Sequence, residues 1–579
     1  MNYSAEKNIL LLLGLLKAYG ISKVVASPGG TNLPLVASMQ SDPYFEIYSC
    51  VDERSAAYMA CGIAEESKEP VAISCTGATA ARNYMSALTE AYYRKLPIVA
   101  ITSSRKLNHA GHLYAQMTDR TVQPKDIVVK SEQIQSIKGK DDEWDCNIKI
   151  NRALSELFRH GGGPVHLNIE TSVSREYGID ELPPAKKIER YDISDELPQI
   201  TSGKIAIFIG SHLEFQEAET EAIDAFCATY NATVYCDHSS NFKGKNRVLT
   251  SLIGMQQRSK SNLLDVDLLI HIGEVSGGYD AQRFSKGEVW RVNKDGEMRD
   301  LFGCLTKVFE MSEYDFFSIY ATAQPERSER SDYIQSFYEQ ICSMIPQLPF
   351  SNLWVAQQLA PSLPNNAVLH LGILNSLRSW NCFEIPQSVL SYSNTGGFGI
   401  DGCLSSLIGA SLIHKDRLYF ICLGDLAFFY DLNSLGNRHI GKNIRILLIN
   451  NGHGQEFCNY SSPGADLGEI TENYIAARGH FGKQSSTLVK SIAENLGFKY
   501  FAASNKEDFV NVKSEFLKVE NDKPILFEVF TNGKDESEAL KAISGLVVDN
   551  NFSLKSSTKK IAAKIIGKDN LKKIKRIVE

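Results

Sequence analysis

The amino-acid sequence predicts an α/β protein of several domains, each a parallel sheet wrapped by helices. Three observations lead there. Short apolar runs alternate with helical patterns along most of the chain, many of those runs end in small or polar residues, and residues 417–449 spell out one complete strand-helix-strand unit. A strand returns parallel to its predecessor only through a long crossover, usually a helix lying on the sheet face, so this alternation is the pattern of a parallel sheet.

A chain of 579 residues has room for about three or four domains at roughly 100–200 residues each. Its 43% apolar and 22% charged content is that of an ordinary globular protein. The net charge of −7 argues against a protein built to hold nucleic acid non-specifically. Twelve cysteines are scattered without a CxxC pair, which suggests neither a zinc site nor a disulfide framework and fits a reducing cytoplasm.

Taken in order, the first element is an apolar helix over residues 4–19, with Ser4 as its cap and Gly20 as its stop. Its run Ile9 to Leu16 is too short to span a membrane and lacks a following cleavage site. Strand-like runs follow at residues 23–27, 71–75, 97–102 and 164–169, and the first three lead into Ser27-Pro-Gly-Gly-Thr31-Asn32, Thr76-Gly-Ala-Thr-Ala80 and Thr102-Ser-Ser-Arg105. Between them Glu53 opens a helix of small apolar residues. It would favour the helix dipole, and a carboxyl embedded among Ala and Cys would also have a raised pKa and exchange protons near neutrality.

Residues 176–199 are charged and contain Pro183-Pro184, reading as a linker. A second α/β stretch has strands near residues 204–210, 232–236, 266–272 and 287–292, and Gly210-Ser-His follows its first strand without a GxGxxG fingerprint. It reads as mainly structural, with residues 255–260 as a loop that would reach a substrate. A polar helical connection over 313–348 precedes a third alternating stretch from Ser351 to about Phe530. The boundaries read from sequence are 1–180, 200–320 and 345–545, then a tail at 546–579. Residues 551–579 hold nine Lys or Arg against Asp569 and Glu579. Ile561, Ile565, Leu571, Ile574 and Val578 would line one side of a broken amphipathic helix there, a segment that is either solvated or touches a partner or an anionic membrane surface.

The chemistry concentrates at residues 424–453. Gly424-Asp425 closes one apolar run and Asn450-Asn451 the next, so both polar ends fall at the carboxyl edge of a parallel sheet, where open α/β folds bind ligands. A hard cation takes oxygen ligands, and the Asp425 carboxylate, the Asn451 amide oxygen and a backbone carbonyl two residues on would supply them. Asp and Asn at such positions also cap helices and turns.

Several segments together resemble the thiamine diphosphate enzymes, and within them the MenD-like (SEPHCHC synthase) branch. These are SPGGTNLPL (27–35), DERSAAYMACGIA (52–64), TGATAARN (76–83), TSSR (102–105), AQMTDRTVQ (115–123), SNTGGFGIDG (393–402), GDLAFFYDLN (424–433) and NNGHGQEF (450–457). The resemblance implies two cofactor-binding parallel-sheet domains flanking a central α/β domain, with thiamine diphosphate and Mg2+ as cofactors. It also implies a 2-oxoacid donor, an acceptor, and at least a homodimer, either dimer or homotetramer.

The resemblance further implies that Glu53 hydrogen-bonds the pyrimidine ring and promotes removal of the reactive proton. It implies that Ile400 wedges the cofactor into its bent shape beside Gly399, Asn394 and Gly424. Asp425, Asn451 and the carbonyl of His453 would hold the metal, and Asn83, Gln116 and Ser376 match pocket positions. Thr31, Trp380 and Thr395 stand where the branch carries arginines, Arg105 remains, Leu426 takes the third position of the metal motif, and Glu456 replaces an apolar residue. Arginine suits carboxylates, so these departures imply a carboligase with a smaller or less acidic donor such as pyruvate and a neutral or sugar-like acceptor. The alternatives are the branch's own synthase reaction with substitutes such as Arg258 and Lys260, a simple decarboxylase, and a non-enzymatic scaffold.

Overall fold

A computed structural model describes residues 1–201, 203–256, 265–278, 285–322, 332–480 and 485–547. The basic tail, Arg258 and Lys260 lie outside the described residues. The chain divides into two compact units, residues 1–195 with 296–310, and residues 196–295 with 311–579.

In the first unit, β1 (Lys23–Ala26), β2 (Glu46–Ser49), β3 (Val71–Thr76), β4 (Ile98–Ser104), β5 (Lys130–Ile134) and β6 (Val165–Glu170) form one parallel sheet in the order β2-β1-β3-β4-β6-β5. Strands β3, β4 and β6 are buried along nearly their whole length, as expected where helices cover both faces. On one face, α1 (Lys7–Ala18) buries Ile9, Leu12, Leu13 and Leu16 against Val24, Val99 and Leu167. On the other, α2 (Glu53–Ser67) lays Ala56, Ala57, Ala60 and Cys61 on Val25, Ile73 and Ala100. The small residues of α2 let its backbone approach the sheet closely.

The first helix ends as its sequence predicts, at Gly20 with φ +74°, a conformation that costs glycine nothing. Its start differs. Ser4 does not cap it, because Tyr3 and Ser4 pair as a short antiparallel strand with residues 177–179 and the helix begins at Lys7. The stretch read as a linker thus contributes two strands, Tyr177–Ile179 and Glu189–Asp192. Residues 296–310, drawn with the middle stretch from sequence, belong to the first unit: Leu305–Glu310 pairs in parallel with Glu189–Asp192, and Arg159 binds Glu310 at 2.8 Å.

The second unit holds two parallel sheets. One orders β9-β8-β7-β10-β11 from β7 (Ile205–Ile209), β8 (Thr233–Cys236), β9 (Arg247–Leu249), β10 (Val266–Ile272) and β11 (Ser285–Val292). The other orders β13-β12-β14-β15-β17-β16. Its strands are β12 (Val368–Leu371), β13 (Leu390–Tyr392), β14 (Tyr419–Gly424), β15 (Ile444–Asn450), β16 (Lys499–Ala503) and β17 (Ile525–Phe530). Buried polar contacts stitch the two together: Asn381 Oδ1 accepts from the His238 N–H at 2.9 Å, Asn241 Oδ1 accepts from the Ser391 N–H at 2.7 Å, and Gln256 donates to the Ile543 carbonyl at 2.9 Å. The middle stretch therefore shares a compact body with the third. None of the twelve cysteines forms a disulfide, and among the described residues no helix is long and apolar enough to cross a membrane.

In the third stretch α3 (Asn352–Leu359) meets α5 (Gly533–Ser544) through one buried carboxyl, with α4 (Asp425–Tyr430) between them in the chain. Glu536 accepts from the Asn352 N–H at 3.0 Å and the Thr531 hydroxyl at 2.7 Å, and burial pushes its pKa up to about 7 despite those bonds. The folded chain thus holds this proton to higher pH than the unfolded chain, and stability falls as pH rises from the ordinary glutamate range through about 7. Glu536→Gln, which keeps an acceptor without the charge, is expected to stabilise the protein above pH 7 by about 1–3 kcal/mol. The gain should vanish near pH 4.5, as followed by thermal unfolding across pH.

Candidate active site

The register of β14 against β15 sets the site in the second unit. Gly424 pairs with Ile449, so the residues just past each strand meet at the carboxyl edge of the sheet. Asp425 is the first residue of α4, with Gly424 as its cap. Its carboxylate, 2% exposed, accepts from the Gly452 N–H at 2.8 Å and the Leu426 N–H at 3.0 Å. Burial pushes the Asp425 pKa up to about 6. A buried carboxylate with two amide donors still has lone pairs to offer, and a bound cation would reverse that shift.

Asn451 follows on the same loop, with its Oδ1 3.4 Å from the His453 N–H. Asn451, Gly452 and His453 form one wall of a cavity of about 790 Å³, whose other side includes Asn532, Gly533 and Lys534. Asp425, Asn451 and the His453 carbonyl are thus an oxygen set beside a cavity lined by Lys534, Lys541 and Arg478 as well as Glu472 and Glu538, three cations against two acids, which fits a hard cation with a diphosphate.

The His453 imidazole was not foreseen. It is buried, with Nδ1 2.9 Å from Glu472 and Nε2 2.8 Å from the Gln455 Oε1. Cys458 completes a group whose ligand atoms all lie within 4.8 Å of one another. Gly533 packs on the ring so closely that an added Cβ would lie 2.8 Å from it.

Approaching from the other side, residues 393–402 lead into a helix, Cys403–Ser411, with Gly402 at φ +73°. Asn394 accepts from the Ser406 hydroxyl at 3.2 Å. Ile400 is partly buried against the third-sheet core, and Gly399 leaves space that the Asp401 carboxylate fills. Glu456 and Arg378 form an ion pair at 2.6 Å beside a second cavity of about 420 Å³. Glu456 therefore does not add an uncompensated negative charge, as its sequence position suggested, because Arg378 neutralises it.

Two other expected pocket residues are turned away. Trp380 is 1% exposed, in the core at the end of a six-residue helix, and Thr395 is 3% exposed. Neither borders the two cavities above. Ser376 is also buried and accepts from the Asn352 side chain at 3.2 Å, tying it to the Glu536 network.

In the first unit, the loops at the carboxyl ends of β1, β3 and β4 are bound to one another. The Thr31 hydroxyl reaches Thr76 Oγ1 at 2.5 Å and donates to the Ser103 carbonyl at 2.9 Å. With its hydroxyl so engaged, Thr31 acts as a brace rather than an open substrate ligand. Glu53 lies in the first turn of α2, where Asp52 caps the helix by accepting from the Ser55 N–H at 2.8 Å.

The Asn83 amide donates to Glu53 Oε2 at 3.3 Å, joining two residues chosen from separate motifs. Glu53 is half-buried rather than embedded among Ala and Cys, because the small residues of α2 face the sheet and position 53 faces away. Arg105 and Gln116 are exposed, the latter at φ +63°.

Because Gly533 leaves no room for a side chain over His453, Gly533→Ala is expected to displace the imidazole and cost about 1–3 kcal/mol. Chemical denaturation measures that cost, and an unchanged midpoint would show the loop to be slack.

Residues 10–123 match the family described as thiamine pyrophosphate enzyme, N-terminal TPP binding domain. The chain is 32% identical over 562 residues to a 2-succinyl-5-enolpyruvyl-6-hydroxy-3-cyclohexene-1-carboxylate synthase of Bacteroides thetaiotaomicron, covering 93% of this chain and 98% of that protein. The synthase of the same name from Phocaeicola vulgatus is 30% identical over 565 residues, with 93% and 98% covered, and that of Flavobacterium johnsoniae 27% over 552 residues, with 92% and 97%. This chain is an enzyme that uses thiamine diphosphate and belongs to the 2-succinyl-5-enolpyruvyl-6-hydroxy-3-cyclohexene-1-carboxylate synthase family.

Proposed function

We propose that the protein decarboxylates a 2-oxoacid and transfers the resulting acyl-anion equivalent to an acceptor, with Mg2+ holding the cofactor diphosphate. The observation that carries the reading is the buried Asp425 carboxylate facing the Asn451 loop beside a cavity with Lys534. When bound, thiamine diphosphate supplies a nucleophilic carbon and an electron sink for loss of CO2.

The chain's own residues do the rest. Asp425, Asn451 and the His453 carbonyl hold the metal. Glu53, positioned by Asn83, carries the proton that activates the cofactor. Ile400, with Gly399, Asn394 and Gly424 around it, shapes the cofactor's bed, while Gln116 and Arg105, both exposed, are available to substrate.

The substrates we favour are a small donor such as pyruvate and a neutral or sugar-like acceptor. What supports this is the neutral character of Thr31, Thr395 and Trp380 and their burial or engagement away from the cavities. The synthase reaction in its relatives' name is the second reading, favoured by 32% identity over nearly the whole chain and by Arg105 and Arg378. We place the enzyme in the cytoplasm as a homodimer or homotetramer.

Two measurements test the proposal. Glu53→Gln should retain cofactor binding while slowing exchange of the cofactor's reactive proton by about 10²–10⁴-fold; unchanged exchange removes Glu53 from that role. A panel of 2-oxoacids, scored for CO2 and for coupled products with aldehyde and ketone acceptors, should show pyruvate turned over faster than 2-oxoglutarate. Faster turnover of 2-oxoglutarate with isochorismate would establish the second reading, and no CO2 from any donor would sink both.

A further inference from the structure

The cavity of about 420 Å³ in the second unit has a polar side, with Arg378, Glu456, Ser251, Tyr460, Ser461 and Ser462, and an apolar side that includes Met255, Leu374, Phe457 and Leu540. Arg378 and Glu456 are 2.6 Å apart, with side chains 21% and 27% exposed. The second oxygen of Glu456 is itself buried and has no hydrogen-bond partner among the described residues. Tyr460 and Ser544 hold each other at 2.5 Å, which fixes one edge of the cavity.

A lone arginine here would take a carboxylate in bidentate fashion. Paired with Glu456 its charge is already matched, and an incoming carboxylate would meet the glutamate's charge as well. A neutral polyol would instead donate to the exposed edge of the Glu456 carboxylate, whose side chain is 27% exposed, without the repulsion a second carboxylate meets. A ligand that satisfies the cavity therefore donates to Glu456 and accepts from the hydroxyls and the guanidinium without bringing net negative charge.

We propose that Arg378 and Glu456 form a charge-balanced clamp that selects a neutral, polyhydroxylated acceptor over a carboxylated one. The clamp rests on the carboligase reading above and specifies its acceptor. Glu456 acts as both the attractive and the repulsive element, the combination on which specificity commonly depends.

The test uses the full-length protein loaded with thiamine diphosphate and Mg2+, and titrates ribitol and succinate calorimetrically as unreactive probes. Wild type should bind ribitol at least tenfold more tightly than succinate. Glu456→Gln should raise succinate affinity at least tenfold, and adding Arg378→Gln should abolish that gain. The exchanged pair, Arg378→Glu with Glu456→Arg, should keep the wild-type preference and covers the case in which Glu456→Gln does not fold.

Equal binding of the two probes to wild type, or succinate affinity unmoved by Glu456→Gln, would overturn the clamp. So would loss of the wild-type preference in a folded exchanged pair. Binding requires no turnover, so the outcomes separate. A selectivity switch in a protein that releases no CO2 keeps the clamp and removes the carboligase reading, while CO2 release without the switch removes the clamp alone.

Discussion

The buried contact between Asp425 and the Gly452 amide organises the carboxyl edge of the third sheet. It exists because β14 and β15 are adjacent and parallel, which places the residue after each strand at the same edge. An ionised carboxylate at 2% exposure is sustained only by donors or by a cation. The two backbone amides, of Gly452 and Leu426, supply that compensation.

That edge is backed by further buried polar groups rather than by apolar packing alone. Asn450 donates to Glu528 at 2.6 Å and Tyr500 donates to the same carboxyl at 2.7 Å, while Glu536 joins α3 to α5 through Asn352 and Thr531. Each carboxyl is bonded by neutral donors, and burial raises the pKa of both. Such networks specify one arrangement of the strand ends, because any shift leaves a buried group unpaired. Glu53 in the first unit is different. It is half-buried on a helix start and accepts from the Asn83 amide.

Much of the fold was legible residue by residue. The apolar runs mark strands of all three parallel sheets, Gly20 ends the first helix, and Asp425 and Asn451 come together where the alternation puts them. Glu53 and Asn83 were chosen from separate motifs and are hydrogen-bonded. The misreadings have a common physical source in partners distant along the chain. Ser4 looks like a cap until residues 177–179 pair with it, and Glu456 looks uncompensated until Arg378 reaches it.

The sequence by itself therefore determined the α/β class, the cofactor and the residue types at the sheet edge, since these follow from local periodicity and from motifs that are contiguous in the chain. Tertiary structure alone decided how charge is distributed around the smaller cavity. Glu456 reads as an unpaired acid in sequence, and only folding brings Arg378, 78 residues away, to 2.6 Å from it. Electrostatics depends on distance in space, which no local pattern encodes.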